Sequence, residues 1–462
     1  MFQAVQFDAE LIRRYDKAGP RYTSYPTAVQ FHTGFGEAEY RAAVAASSDR
    51  TPPAPLSLYF HIPFCDTLCF YCGCNKVVTK NRQRAAPYLE RLHREIGLQA
   101  ALFDPARPVE QLHWGGGTPT FINEQQMREL MAATRAHFML RDDDGGEYSI
   151  EVDPRETDGQ TLAVLRELGF NRLSLGVQDF DAQVQKAVNR LQPEQQTLAV
   201  IAEARRLGFA SVSVDLIYGL PLQTTTSFAV TLDKIIAADP DRLSVFNYAH
   251  LPELFMPQRR IRAEELPSAA EKLELLKLTI ERLGAAGYVY IGMDHFAKPD
   301  DELARAQREG TLYRNFQGYS THADCDLIGL GVTAIGKVAD CYSQNVKTLE
   351  EYYESIDVGR LPIYRGIQLE ADDLLRREII TQLICHFELD TARLAERFAI
   401  DFAPYFAVEL DELRGMADDG LVGLDGPVIR VLPAGRLLIR NVCMVFDRYL
   451  RDSRSRRFSK VI

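Results

Sequence analysis

Four of the chain's eight cysteines fall within ten positions of "YFHIPFCDTLCFYCGCNK" (59–76), in the order C-x3-C-x2-C-x-C. Cysteines gathered in this way predict a disulfide knot, a zinc knuckle or an iron–sulfur site. Eight in 462 residues are too few for a disulfide framework, which points to a reducing setting. Structural zinc is often held by two C-x2-C pairs on separate turns, whereas here there is no second cluster and no histidine between the cysteines. The bacterial ferredoxin run, C-x2-C-x2-C with a distant fourth cysteine before proline, is not present either. Zinc is the lesser alternative. Cys65, Cys69 and Cys72 suit a [4Fe–4S] cluster with three thiolate ligands and one open iron, and an open iron is a place for chemistry. Cys74 is left over.

Elements that could position such a loop recur along the chain. Runs rich in β-formers are "LSLYFHI" (56–62), "VEQLHW" (109–114), "EYSIEV" (147–152), "RLSLGV" (172–177), "SVSVDLIY" (211–218) and "RLSVFNY" (242–248). Helical patterns alternate with them, among them residues 84–102, 123–138, 158–169 and 194–208, the last two ending in glycine. This alternation predicts parallel strands with crossover helices. Six units fit an α/β fold of the partial (β/α)6 barrel type. The expected organisation is an N-terminal arm over 1–54, ending at the "TPPAP" linker, a catalytic domain over 55–365, and a smaller, mainly helical C-terminal domain over 366–462.

Barrel active sites lie where the strands end and the βα loops converge. The first strand leads into the cysteines, and the second ends in "GGGTP", whose glycines allow close backbone approach to a ligand. The third ends at Glu151, a carboxylate suited to an ammonium or a ribose hydroxyl. Gln178 follows the fourth strand, the fifth carries Asp215, and the sixth ends in "NYAH" (247–250). One such polar residue would be unremarked on a surface. Six consecutive units with polar or glycine-rich ends point to one site. Cys325, Cys341, Cys385 and Cys443 read as core residues, and His61 and His250 as hydrogen-bonding supports. His295 has no role assignable from its chemistry.

The spacing of Cys65, Cys69 and Cys72 is similar to the signature of the radical S-adenosylmethionine (SAM) enzymes. Taken with "LHWGGGTPTF", "SIEVDPRE", "LSLGVQDF", "VNRLQ", "DLIYGLP", "FNYAHLP", "GMDHFAKPDDEL", "NFQGY", "IRNVCMVFDRYL" and "GPRYTSYPT", nearly the whole chain resembles the oxygen-independent coproporphyrinogen III oxidase (dehydrogenase) family of haem biosynthesis. The resemblance implies a radical SAM barrel with a [4Fe–4S] cluster on Cys65, Cys69 and Cys72, and two SAM molecules per chain. Tyr59, Gly116, Glu151 and Ile335 would line the first SAM. Tyr71, Gly117, Thr118, Gln178, Arg190, Asp215 and Ala249 would line the second, with Phe316 and Gln317 bordering the site. Tyr59, Glu151 and Cys74 are the candidates to act at the reacting atoms, although Cys74 is given no ligand role because a fourth thiolate would close the iron that SAM needs. The implied reaction is oxidative decarboxylation of two propionates of coproporphyrinogen III to vinyl groups, giving protoporphyrinogen IX. It needs an electron donor such as a flavodoxin or ferredoxin, and the chain is expected to be a cytoplasmic monomer.

Charge bears on the partners. With 53 Lys and Arg against 64 Asp and Glu, the formal net charge is −11, which repels nucleic acid and anionic membranes. No apolar run is long enough to span a bilayer, and the N-terminus has no signal-peptide core. A substrate with four propionates would need local cations, for which Arg14, Lys17 and Arg21 in the arm and the basic tail "RYLRDSRSRRFSK" are candidates. Two other readings compete: a haem chaperone that shares the cysteine motif and barrel, and a winged-helix DNA-binding module in the C-terminal region.

Overall fold

A computed structural model describes residues 5–323 and 325–451; residues 452–460 of the basic tail lie outside the described residues. The chain divides into two compact units, one of residues 30–267 and 324–369, the other of residues 1–29, 268–323 and 370–462.

The first unit is built on the six expected strands, β1 (Leu56–Ile62), β2 (Pro108–Gly116), β3 (Glu147–Val152), β4 (Arg172–Gln178), β5 (Ser211–Tyr218) and β6 (Arg242–Asn247). They lie side by side in chain order and all pair in parallel, with Leu58 opposite Leu112, Ile150 opposite Leu173 and Val214 opposite Leu243. Crossover helices Ala85–Ala100, Glu124–His137, Gly159–Glu167, Glu194–Arg206 and Thr225–Ala238 join them. Two of these are closed at their first turn by side chains. Asn123 and Gln126 form a reciprocal N-terminal box, as do Thr224 and Ser227. The strands are buried because helices cover one face, so Phe60, Trp114 and Phe170 pack edge to face in the core.

On the other side of β1 lies a part of the sheet that the strand patterns did not reveal. Strand β7 (Asp326–Leu330) is parallel to β1, and β8 (Ile335–Val338), β9 (Cys341–Asn345) and β10 (Ile363–Gln368) continue antiparallel. Residues 30–54, expected in an arm, also belong to this unit: His32 bridges Gly366, and Ser47 on helix Glu37–Ser48 hydrogen-bonds Asp326.

In the second unit, residues 5–29 pack beside the C-terminal segment. Arg14 pairs with Asp419, Arg21 pairs with Asp294, and the Tyr22 hydroxyl donates to Asp447 at 2.9 Å. Two of the three arm cations expected to meet propionates are therefore already ion-paired. Beyond helix Ala371–His386, a small three-stranded sheet orders Glu388–Asp390, Val428–Val431 and Val422–Asp425 beside helices Thr391–Phe398 and Ala407–Asp418. Cys325, Cys341, Cys385 and Cys443 are all buried. No helix among the described residues is long and apolar enough to cross a membrane.

Candidate cluster and cofactor site

The loop after β1 is clamped at both ends. Phe64–Cys65 pairs in parallel with Val77–Val78, and the Thr79 N–H donates to the Cys65 carbonyl at 2.9 Å. The end of β2 then closes onto the same segment: Gly117 N–H donates to the Ile62 carbonyl (2.9 Å) and Thr118 N–H to the Phe64 carbonyl (2.8 Å). This approach requires glycine, since a Cβ at Gly117 would stand 2.6 Å from the Phe64 carbonyl oxygen. Gly116 has φ +112° and the His61 ring against it, so a side chain there is excluded by conformation and by space.

Cys65, Cys69, Cys72 and Cys74 line one cavity of about 310 Å³ at the C-terminal ends of β2–β5. A hydrogen-bond donor meets each thiol of the C-x3-C-x2-C set. Thr118 Oγ1 lies 3.6 Å from Cys65 Sγ, and Arg155 Nη2 and Arg190 Nη1 lie 3.7 and 3.6 Å from Cys69 Sγ. The Cys74 thiol hydrogen-bonds Cys72, while Lys76 Nζ donates to the Cys72 carbonyl at 3.1 Å. The pattern separates the thiols chemically. Burial pushes Cys65 up to about 11 against the Thr118 hydrogen bond, whereas Cys72 is drawn down, first by the bond from Cys74. Cys74, as the donor of that bond, is pushed up; it is also exposed. Among the described residues no three His, Cys, Asp or Glu side chains converge on a point that one ion could occupy. A cluster presents its irons at separate corners and makes no such demand on three thiolates.

Across the cavity, β3–β5 contribute side chains of the strand face not covered by helices. On β4, Ser174, Gly176 and Gln178 line the cavity while Leu173, Leu175 and Val177 are buried in the core, as a period of two requires. Glu151 accepts from the Gly116 N–H at 3.1 Å and contacts His113 Nε2 at 3.4 Å. Burial alone would raise its carboxyl, yet His113 and the Gly116 N–H hold it below its ordinary value. Asp215 goes the other way. Burial and then the Glu151 charge raise it to about 7, opposed by hydrogen bonds from Ser244 and Ser174. The cavity thus holds one carboxylate ready for a cation and one carboxyl that titrates near neutrality. Behind Cys69, Asp153 pairs with both Arg155 (2.7 Å) and Arg190 (3.0 Å), and Arg190 Nε is buried without a hydrogen-bond partner. Three separable thiols, cationic donors on one of them and an unsatisfied guanidinium nitrogen on the wall fit an anionic cluster.

The family model described as Radical SAM superfamily matches residues 59–235, and the HemN C-terminal domain model matches residues 369–438. The oxygen-independent coproporphyrinogen III oxidase of Pseudomonas aeruginosa is 58% identical over 462 residues, 100% of both chains. Its counterpart from Escherichia coli is 53% identical over 461 residues, 100% of this chain and 99% of that one. The solved structure of coproporphyrinogen III oxidase (HemN) from Escherichia coli, described as a radical SAM enzyme, superposes with a TM-score of 0.92 at 51% identity, covering 97% of this chain and all of that one. The chain belongs to the oxygen-independent coproporphyrinogen III oxidase family.

Most of the residues matched to this family by motif meet at the one cavity: Tyr71, Gly116, Gly117, Thr118, Glu151, Gln178, Arg190 and Asp215 line it together with the four cysteines. Tyr59 does not line it. Its ring stacks on His113 at 5.8 Å and its hydroxyl meets His61 Nδ1 at 3.1 Å, while His61 Nε2 lies 3.0 Å from the Asn75 carbonyl. His61 thereby supports the cysteine loop. Ala249 and Ile335 also lie off the cavity lining. The Ala249 carbonyl accepts from Gln258 Nε2 (3.2 Å), which also reaches the Tyr71 carbonyl (3.0 Å), and Ile335 packs its backbone against Gly329. Phe316 and Gln317 are in the other compact unit, between strands Tyr313–Asn315 and Gly318–Ser320. His250 Nδ1 and the Tyr248 hydroxyl are hydrogen-bonded at 2.9 Å.

Two sets of residues in this family member escaped the sequence reading. Gln258, buried, ties the cysteine loop to the end of β6, and no motif marks it. Arg155 reaches Cys69 and is held by Asp153; the run "VDPRE" at the end of β3 was a signal, because Asp153 caps the short 3₁₀ turn Pro154–Glu156 that carries Arg155.

Proposed function

We propose that the chain converts coproporphyrinogen III to protoporphyrinogen IX, with each of two propionates losing a hydrogen atom, carbon dioxide and one electron to become a vinyl group. The observation that carries this reading is the cavity itself. It brings the three thiols of the C-x3-C-x2-C loop, the glycine-rich end of β2 and the ionised Glu151 into one cavity. When bound there, a [4Fe–4S] cluster with an open iron and SAM supplies hydrogen-atom abstraction after one-electron reduction.

Cys65, Cys69 and Cys72 hold the cluster, with Thr118 and Arg155 donating to two of their sulfurs. Glu151 receives the ammonium or a ribose hydroxyl of SAM, and Gly116 gives the backbone room for it. Tyr59 and Ile335 complete the first SAM site. Tyr71, Gly117, Thr118, Gln178, Arg190, Asp215 and Ala249 form a second. Cys74 stands outside the ligand set and hydrogen-bonds the thiol of Cys72; its role is to act near the reacting atoms without closing the open iron. The enzyme works as a cytoplasmic monomer and takes its electron from a flavodoxin or ferredoxin.

The test is anaerobic cluster reconstitution followed by incubation with coproporphyrinogen III, SAM and a reductant. Formation of 5′-deoxyadenosine, carbon dioxide and protoporphyrinogen is expected. A cluster-loaded enzyme that binds haem but makes none of these would support the chaperone reading. Cys65→Ser should lose the cluster's visible absorption; if the spectrum survives, the ligand assignment is wrong.

A further inference from the structure

Cys69 receives more positive charge than its packing requires. Its sulfur, in a residue only 8% exposed, lies within 3.7 Å of two guanidinium groups, Arg155 from the turn after β3 and Arg190 from the segment after β4. Both share a single carboxylate, Asp153. Of the other acids in the cavity wall, Glu156 is engaged by Arg82, Glu151 by His113 and the Gly116 N–H, and Asp215 by Ser174 and Ser244. One carboxylate between two guanidiniums leaves a net positive charge, poorly screened because all three side chains are largely buried. Such a charge is costly unless an anion joins it. Among the described residues Cys65 and Cys72 have no guanidinium donor; Cys65 has the Thr118 hydroxyl, and Cys72 has the Cys74 thiol and the Lys76 ammonium.

Resting on the cluster reading above, we infer that Arg155 is a positioning residue that raises the reduction potential of the cluster through the Cys69 sulfur, with Asp153 holding its guanidinium in place. Three thiolates on a [4Fe–4S] core carry one net negative charge when oxidised and two when reduced. A cation fixed beside one thiolate therefore stabilises the reduced form more than the oxidised form, and hydrogen bonds to cluster sulfurs act in the same direction. The guanidinium fork fits this task because it reaches the sulfur and Asp153 at once.

The charge model makes a prediction of sign that a packing role does not. Wild type, Arg155→Gln, Arg155→Lys and Asp153→Asn would be reconstituted and titrated anaerobically without SAM, following visible absorption and the paramagnetic signal of the reduced cluster. Arg155→Gln should shift the reduction equilibrium about tenfold against the reduced form, roughly 59 mV more negative for one electron. Arg155→Lys, which keeps the charge, should restore most of that shift. Asp153→Asn should move the potential in the opposite direction, because it removes the compensating anion. An unchanged potential in Arg155→Gln, or shifts of the same sign in Arg155→Gln and Asp153→Asn, overturns the inference. Should Arg155→Gln bind no iron, Asp153→Asn decides alone: a positive shift supports it, and no shift or a negative one overturns it. A wild type with no reducible cluster signal would instead sink the cluster reading itself.

Discussion

Gly117→Ala places one methyl group where the cysteine loop crosses the end of β2, and the consequence can be worked from distances. The new Cβ would stand 2.6 Å from the Phe64 carbonyl oxygen, about 0.8 Å short of an ordinary 3.4 Å contact, with the Pro63 carbonyl carbon at 2.7 Å. Both are backbone atoms, so no side chain can swing away. Relief requires the two segments to part, and the bonds that join them are the Gly117 N–H to Ile62 carbonyl (2.9 Å) and the Thr118 N–H to Phe64 carbonyl (2.8 Å). Losing both at about 1 kcal/mol each costs roughly 2 kcal/mol, within the usual 1–3 kcal/mol range for overpacking. Cys65 sits next to this contact, so the loss should appear as weaker cluster retention, by about tenfold to thirtyfold at ~1.4 kcal/mol per tenfold. The assay is iron per chain after reconstitution, with the rate of iron loss to a chelator. Gly208→Ala is the control: φ there is +76°, nothing lies within 4 Å, and only a strain of about 1 kcal/mol is expected, with cluster retention unchanged. Wild-type retention in Gly117→Ala would refute the reasoning, as would equal losses in both variants.

Three further outcomes are expected. Burial raises the Glu95 carboxyl from 4.5 to about 7 against hydrogen bonds from Tyr352, Gly331 and Asn345. Its contribution is therefore complete below about pH 4.5 and lost as the pH rises through 7, on the order of 3 kcal/mol; thermal melts of Glu95→Gln against wild type should show this slope flattened, and parallel slopes would contradict it. Asp326→Ala should leave the Arg107 guanidinium buried without its carboxylate, costing about 3–5 kcal/mol and lowering the melting temperature, whereas an unchanged melt would show the pair to be dispensable. Cys74→Ser should keep full iron content but change the alkylation rate of Cys72 in the cluster-free protein, since Cys74 hydrogen-bonds that thiol; loss of iron would make Cys74 a ligand.

How much of this was legible in the sequence follows from the physics of each feature. Strands β1, β3 and β5 begin and end where their β-rich runs do, because buried apolar residues recur at every second position on the helix-covered face, as Tyr148, Ile150 and Val152 do on β3, and the alternation stops at the turns. The strands β8–β10 are short and mixed in composition, and they are held by antiparallel pairing to neighbours already in place, so no local pattern announces them. The site divides along the same line. In the proposed ligand set, Cys65, Cys69 and Cys72 lie close in sequence because one short loop would have to bring three sulfurs to one cluster, and a spacing rule can find them. The groups that act on those sulfurs obey no spacing rule: Arg155 and Arg190 lie 86 and 121 residues from Cys69 and reach it only because successive strands deliver their ends to one rim. Ligation is a local constraint and the electrostatics of the ligand is a topological one. A cysteine motif therefore identifies where the chemistry sits well before it can indicate at what potential that chemistry runs.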